Sequence, residues 1–341
     1  MARALAARGL PPSLIFTGQH ASLDPCAHGL GRFPAVTLDC PGEASPHNHV
    51  EKVAAAIGPL LGDAPDLLVV QGDTSSALGG ARAAALAGVP LAHVEAGLRT
   101  GDPVLPWPEE EYRIEIDALA GLLFAPTDIS ANNLRDECVP GDVHVTGNTG
   151  IDALLAVAAD LPGSWVRERN LPLLLVTCHR RESWGAGIQS IATALGALAA
   201  EGIAELEIVV PPNAHVAAAL REQLGGCPNL TLLEPRDHRL LVQRMRDCDL
   251  VLSDSGGMQE EAPALGIPLL VLRDKTERPE GIATGNMRLV GTSAETIVAE
   301  VRRLLADPLA YAAMARPAFP YGDGRAAPRI ATIIAQWLDG R

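Results

Sequence analysis

The sequence predicts an α/β protein built as two doubly wound, Rossmann-like domains in tandem, and three observations carry that prediction. Short apolar runs bounded by Gly, Pro and Asp alternate with alanine-rich helical stretches, which is the rhythm of a parallel sheet with helices on its faces. The alternation comes as two series separated by a segment that lacks it. A length of 341 residues exceeds one ordinary core and accommodates two domains of roughly 150 residues.

The first series runs SLIFTG (13–18), AVTL (35–38), DLLVVQGD (66–73), VPLAHVE (89–95), LLFAP (122–126) and VHVTG (143–147), with helical stretches such as SSALGGARAAALAG (75–88) between them. It defines an N-terminal domain over 1–155. AVAADLPGSWVRERNLP then loses strand character and reads as a linker around residues 156–170. The second series, PLLLVTCHR, LEIVVPP, LTLLEP, DLVLSDSGG, IPLLVLRD and RLVG, defines a C-terminal domain over 171–322. APRIATIIAQWLDG places apolar residues at helical spacing, so 323–341 is expected to form a closing helix packed back toward the first domain. The crevice between two such domains, at the carboxyl ends of the strands, is the expected ligand site.

Composition narrows the function. A net charge of −14 opposes binding to polyanions, which argues against nucleic acid or a membrane surface as partner. No apolar run approaches the ~18 residues needed to span a bilayer, and the N-terminus shows no secretory pattern, so a cytoplasmic location is expected. Six cysteines without a CxxC pair fit reduced thiols and no zinc ribbon. Cys178 next to His179 is a weak nucleophile candidate, and His47 and His49 in PHNHV read as solvated side chains for want of a third ligand.

Carboxylates gather at strand ends. Asp73 in QGDT, Glu95 in HVEAG and Glu109 in PWPEE each follow an apolar run, where ligands bind in open α/β sheets. The plain alternative makes Asp73 a cap for a helix starting at Thr74 and Glu110 and Glu111 a solvated helix face; for the two glutamates that reading is adopted. His93, inside a buried run, is expected to serve packing. In the second half, SDSGGMQEEAPALG sets a Ser-Gly-Gly turn before a helix expected to start near Met258, and such an end binds phosphate through free amides and the helix dipole. Glu261 lies one turn in, within reach of ribose hydroxyls. RDKTERPEG supplies Arg278 as a phosphate fork, whereas Lys275 and Glu277 fit a solvated loop equally well. His179, flanked by Arg180 and Arg181, ends the strand LLLV and suits a leaving phosphate.

Taken together, QGDT, HVEAGLRTGD, PWPEE, TGNTGIDALL, TCHRRES, SDSGGMQEEAPALG, RDKTERPE and PYGDG resemble the non-hydrolysing UDP-N-acetylglucosamine 2-epimerases, from about residue 15 to the C-terminus. The resemblance implies the glycosyltransferase type-B fold. It also implies interconversion of UDP-GlcNAc and UDP-ManNAc for envelope polysaccharide synthesis, by elimination of UDP and re-addition through a glycal. It implies neither metal nor NAD nor any other cofactor, and it implies a homodimer. By the same resemblance, Asp73, Glu95, Glu109 and His179 are the acid/base residues, and Ser255, Gly256, Gly257, Glu261 and Arg278 contact UDP, with Arg180 joined to that set by its charge.

The sequence departs from the family pattern in three ways. The family opens with a strand and a Gly-Thr-Arg-Pro-Glu loop, whereas this sequence starts within the next helix, so the first strand of the N-terminal domain is expected to be missing and its neighbours unpaired. The family histidine of a strand-end PVH motif is Asn213 here. The pair after Gln19 and His20 is Ala21-Ser22. Gln19, His20 and Asn213 are then the remnant of an activator site, with weakened activation expected. Rival expectations are a hydrolysing epimerase, an epimerase of a related UDP-amino sugar, a same-fold glycosyltransferase, and a truncated UDP-sugar-binding paralogue without catalysis.

Overall fold

The structure, a computed structural model, describes residues 1–19, 24–26, 29–62, 65–102, 105–162, 169–178, 185–211, 213–235 and 237–341. It divides into two compact units, Met1–Asp152 with Gly322–Arg341, and Ala153–Tyr321. The first unit carries α1 (Ala2–Ala7), β1 (Leu14–Phe16), β2 (Ala35–Thr37), α2 (Pro46–Ile57), β3 (Leu68–Gln71), α3 (Ser75–Ala87), β4 (Leu91–Val94), α4 (Glu109–Leu119), β5 (Leu122–Ala125), α5 (Asp128–Asp136) and β6 (Asp142–Val145). α6 (Thr149–Asp160) follows. It carries helix through residues 156–160, which the sequence assigns to a linker, because LLAVAA keeps helix-forming residues up to the Pro162 stop.

The second unit continues with β7 (Leu173–Thr177), α7 (Ala186–Glu201), β8 (Glu205–Val209), α8 (Ala214–Leu224), β9 (Leu230–Leu233), α9 (His238–Asp247), β10 (Leu250–Ser253) and α10 (Gly256–Leu265). β11 (Leu269–Val271), α11 (Glu280–Ala283), β12 (Met287–Leu289), α12 (Ala294–Ala306) and α13 (Pro308–Met314) complete it. The last helix, α14 (Ala326–Asp339), belongs to the first unit.

Among the described residues all strand pairs are parallel. The second unit holds one six-stranded sheet in the order β12-β11-β10-β7-β8-β9, with β7 in register against both β8 and β10. Successive residues of β7 serve opposite faces: Leu174 and Val176 pack with α7 and α12, while Leu173 and Leu175 pack with Met245 and Met258. That is why LLLV is apolar throughout, since a parallel strand is covered on both sides. Each such side chain contributes roughly 1.5–3 kcal/mol by burial.

In the first unit β3-β4-β5-β6 form a four-stranded sheet, and β1-β2 form a separate pair. α14 covers one face of the larger sheet, Ile330 and Ile334 lying with Val94, Leu122, Phe124 and Leu5 of α1. Asp152 of α6 fixes its start by accepting from the backbone N–H of Ala326 at 3.0 Å and Ala327 at 2.8 Å. On the other face α2 and α3 touch so closely that a Cβ on Gly79 would fall 2.6 Å from Val53. No described helix is long and apolar enough to cross a membrane.

Candidate active site

Two acids of the first unit, Asp73 and Glu95, sit where strands β3 and β4 end, whereas Glu109, expected at a strand end too, is the first residue of helix α4 because PWP precedes a helix and no strand. Gly72, with φ 69°, turns the chain out of β3 and delivers Asp73. Thr74, and not Asp73, caps α3, its hydroxyl accepting from Ala77 N–H at 3.2 Å. The Asp73 carboxylate is therefore free of the capping role the plain reading gave it, and instead accepts from Arg113 Nε at 2.8 Å while keeping some solvent exposure.

Glu95 ends β4 with φ 74°, a left-handed conformation that is uncommon outside glycine and costs of order 1–3 kcal/mol. Its amide donates to Phe124 O at 3.1 Å, and its Oε1 accepts from Asn148 Nδ2 at 3.2 Å. A Cβ on Gly72 would lie 3.4 Å from Glu95 Oε2, so the turn before Asp73 and the Glu95 carboxylate are neighbours. It is the left-handed φ of Gly72, and not this ordinary contact distance, that favours glycine there.

Glu109 begins α4, and Arg113, one turn on, is the residue that holds Asp73. Glu110 is the correction here. Far from forming a solvated face it is 2% exposed, bonds Arg113 Nη1 at 2.6 Å and accepts from Thr100 N–H at 2.9 Å and Gly101 N–H at 3.0 Å. Arg113 thus ties the head of α4, the loop at 100–101 and Asp73 into one frame, while Glu111 is exposed as expected.

Beneath this corner lies a buried ion network. His93, fully buried, places Nδ1 2.6 Å from Asp117 Oδ1 and Nε2 2.9 Å from Gly72 O. A carboxylate and a carbonyl facing the two ring nitrogens favour the doubly protonated ring. Burial opposes that charge, but Asp117, the Gly72 carbonyl and Glu95 outweigh it and raise the His93 pKa. Asp117 is likewise penalised by burial, yet His93 and Arg99 hold its pKa below the ordinary carboxylate value. His93 is thus no plain packing residue, as the sequence suggests; it supports the turn that presents Asp73. His49 also departs from expectation, being buried with Nδ1 2.6 Å from Ser75 Oγ and Nε2 2.9 Å from Cys40 O.

In the second unit α10 starts at Gly256, two residues before the predicted start, with Ser255 as N-cap residue. The Ser255 side chain makes no capping bond, and the Gly256-Gly257 amides open a helix end suited to an anion. Glu261 Oε1 lies 2.9 Å from His238 Nε2, a contact that raises the His238 pKa despite partial burial. Arg278 is 6% exposed and donates Nε to Glu260 at 2.7 Å and Nη1 to Glu277. Glu277 is buried too and takes Arg273 Nη1 at 3.1 Å, which overturns its reading as part of a solvated loop; Lys275 is exposed. The Arg278 carbonyl accepts from the Tyr321 hydroxyl at 2.9 Å.

The remaining candidates divide. His179, Arg180 and His20 lie outside the described residues. Gln19 accepts from Ser76 Oγ at 2.6 Å, and Asn213 caps α8 by accepting from His215 N–H at 3.0 Å and Val216 N–H at 3.2 Å. Cys178 is buried, which pushes its thiol well above the ordinary pKa and disfavours a nucleophilic thiolate. Sequence reasoning missed Arg113, Glu110 and Asp117. Their signal was an Arg and two acids spaced along one short helix, whose partners on β3, on β4 and in the loop at 100–101 are invisible without the fold.

The family model for UDP-N-acetylglucosamine 2-epimerase matches residues 3–335. A Salmonella typhimurium UDP-N-acetylglucosamine 2-epimerase is 43% identical over 310 residues, 84% of this chain and 80% of the relative. Among solved structures, an S. aureus MnaA–UDP co-structure superposes with TM-score 0.92 at 33% identity, covering 99% of this chain and 92% of that one. The Neisseria meningitidis UDP-GlcNAc 2-epimerase bound to UDP-GlcNAc gives 0.85 at 31%, covering 95% and 99%. A glycotransferase of kitacinnamycin at 15% identity and TM-score 0.63 shares the fold alone. With an α/β fold of parallel sheets in common with these enzymes and a family match along almost its entire length, the chain belongs to the UDP-N-acetylglucosamine 2-epimerase family.

Proposed function

We propose that the chain inverts C2 of UDP-N-acetylglucosamine to give UDP-N-acetylmannosamine, reversibly and without releasing the free sugar. No carbonyl adjoins C2 to acidify its proton. Removal of that proton becomes feasible as the C1–O bond breaks and its electron pair leaves with UDP, giving a C1–C2 double bond. Return of a UDP phosphate oxygen to C1, with a proton delivered to the opposite face of C2, yields the epimer. Nothing is oxidised and no cofactor takes part.

This chemistry asks for two things. Acid/base groups of opposite protonation state are assigned to Asp73, Glu95 and Glu109, and positioned groups of this kind contribute about 10²–10⁴-fold. Stabilisation of the departing diphosphate is assigned to the α10 terminus with Ser255, Gly256 and Gly257, to Arg278, and to His179 with Arg180; such preorganised donors usually contribute more. Glu261 is assigned to the ribose. The observation that carries the reading is Glu95, held in a strained backbone conformation next to the Asp73 turn, since strain of this kind persists where function requires it.

Product analysis tests it. UDP-GlcNAc incubated with the chain and followed by proton and phosphorus NMR is expected to reach a mixture of the two UDP-sugars with no free UDP accumulating. Free N-acetylmannosamine and UDP in equal amounts would instead identify a hydrolysing enzyme, and unchanged substrate a binding protein.

A further inference from the structure

Helices α9 and α10 present a polar pair to which the chemistry above gives no joint role. Asp237 caps α9 by accepting from Leu240 N–H at 2.8 Å, which puts His238 at the first position of the helix. From there its Nε2 lies 2.9 Å from Glu261 Oε1 on α10. A carboxylate facing the ring favours a proton on that nitrogen, so the imidazole donates. The two helices are held on one face of the sheet: Met245 of α9 shares a core cluster with Met258 and Ala262 of α10 and with Leu173 and Leu175 of β7.

The neighbouring charges are engaged elsewhere. Glu260, beside Glu261, is held by Arg278, and Arg239, beside His238, donates to Asp160 O at 3.0 Å. Among the described residues the Glu261 side chain has His238 as its one hydrogen-bond partner, through Oε1. Its side chain keeps 15% of its surface accessible, which leaves Oε2 for a ligand. Glu261, with Asp237 adding to it, raises the His238 pKa against the effect of partial burial. A neutral ring protonated at Nε2 donates as well, so the tether does not depend on the charge.

We propose, resting on the reading that α10 holds a nucleoside diphosphate, that His238 is a positioning residue for the ribose: it ties Glu261 Oε1 in place and leaves Oε2 to accept from the ribose hydroxyls. Glu261 follows Gly257 by four residues, about 6 Å along a helix axis, the scale of the step from a diphosphate at the helix end to the ribose it esterifies. A glutamate has three side-chain rotors, and fixing them before the ligand arrives removes an ordering cost from binding. The effect is confined to the sugar hydroxyls, since among the described residues His238 bonds Glu261 and no group of the Ser255–Gly257 turn.

The test measures the affinity of the full chain for UDP and for 2′,3′-dideoxy-UDP by titration calorimetry. Both carry the same base and phosphates, so their ratio isolates the ribose hydroxyls. The parent chain is expected to prefer UDP by at least about tenfold, as hydrogen bonds to a carboxylate allow. His238→Phe keeps a ring without the donor, and is expected to cut that preference to about a third or less, with dideoxy-UDP affinity and thermal midpoint unchanged. His238→Gln, which returns an amide N–H near the Nε2 position, is expected to restore it. In a Glu261→Ala chain, His238→Phe is expected to change the preference no further, because residues acting through one contact are not additive. A further loss there would overturn the proposal by making His238 a ligand contact in its own right. An unchanged preference in His238→Phe, or an equal loss for both nucleotides, would overturn it and leave the nucleotide reading intact. A parent chain that binds UDP without preferring it to the dideoxy form would take Glu261 off the ribose and the proposal with it, whereas no binding of UDP at all would sink the reading of α10 as well.

Discussion

At Glu95 a backbone angle of 74° and a carboxylate beside the Asp73 turn coincide in one residue, so its two properties can be separated by substitution. Glu95→Gly relieves the left-handed conformation, and its folding stability is expected to be unchanged or higher by about 1 kcal/mol while activity is lost. Glu95→Gln keeps the strain and the shape, and its kcat is expected to fall about 10²–10⁴-fold with an unaltered thermal midpoint. Calorimetry and initial rates on the pair decide the matter; a large loss of stability in the Gly variant would refute the strain argument. The Asp117 network makes a second prediction. Because the folded pKa of Asp117 is depressed, its stabilisation is present above the unfolded value of about 3.9 and is lost as pH falls through the lower folded value. Asp117→Asn should therefore cost about 3–5 kcal/mol at pH 7 by stranding the buried His93, Arg99 keeping its pair with Glu137, and should flatten the acid limb of the stability profile in denaturant titrations between about pH 5 and 2. An acid limb as steep as in the parent chain would place the acid-labile group elsewhere. At this scale the sequence marked Asp73 and Glu95 because strand-end acids stand out against apolar runs, while the apolar run it read before Glu109 leads into helix α4 and is no strand. It misjudged Glu110, His93 and His49, whose partners are at Thr100, Gly101 and Arg113, at Asp117 and Gly72, and at Ser75 and Cys40: burial and pairing of that kind depend on contacts that local composition does not record.

Among the elements, α10 and the segment after β11 are joined by the Arg278 clamp on Glu260 and Glu277, with Arg273 completing the charge balance. Arg278→Ala removes a cation from between two buried carboxylates and is expected to cost about 3–5 kcal/mol in urea unfolding. A change below about 1 kcal/mol would show that the clamp has little weight. The sequence identified Arg278 through its position after a strand and before Pro279, yet it left open whether Glu277 sits in a solvated loop and did not reveal the carboxylates that hold the guanidinium. A charged run looks alike whether it is solvated or folded onto itself. Helix starts were read less finely than strands: Thr74 took the cap assigned to Asp73, and α10 begins at Gly256 ahead of Met258, because turn geometry and not residue preference decides between adjacent candidates.

On the scale of the whole molecule, the two series of apolar runs foretold parallel sheets, since only strands covered on both faces are apolar throughout. Strand order was not legible, because pairing joins residues far apart in sequence. The break between β1 and β3, which shows in the fold as two separate sheets and a cavity, agrees with the expectation of unpaired neighbours that the resemblance supplied. The family membership of the chain and the chemistry proposed for it meet in one bond, the C2–H of the amino sugar. The most direct test follows that bond in D₂O by NMR. One deuterium should enter C2 of the UDP-sugar product per turnover, with Glu95→Gln and Asp73→Asn variants losing the exchange while still binding UDP. Epimerised product that retains the original hydrogen at C2 would contradict the account.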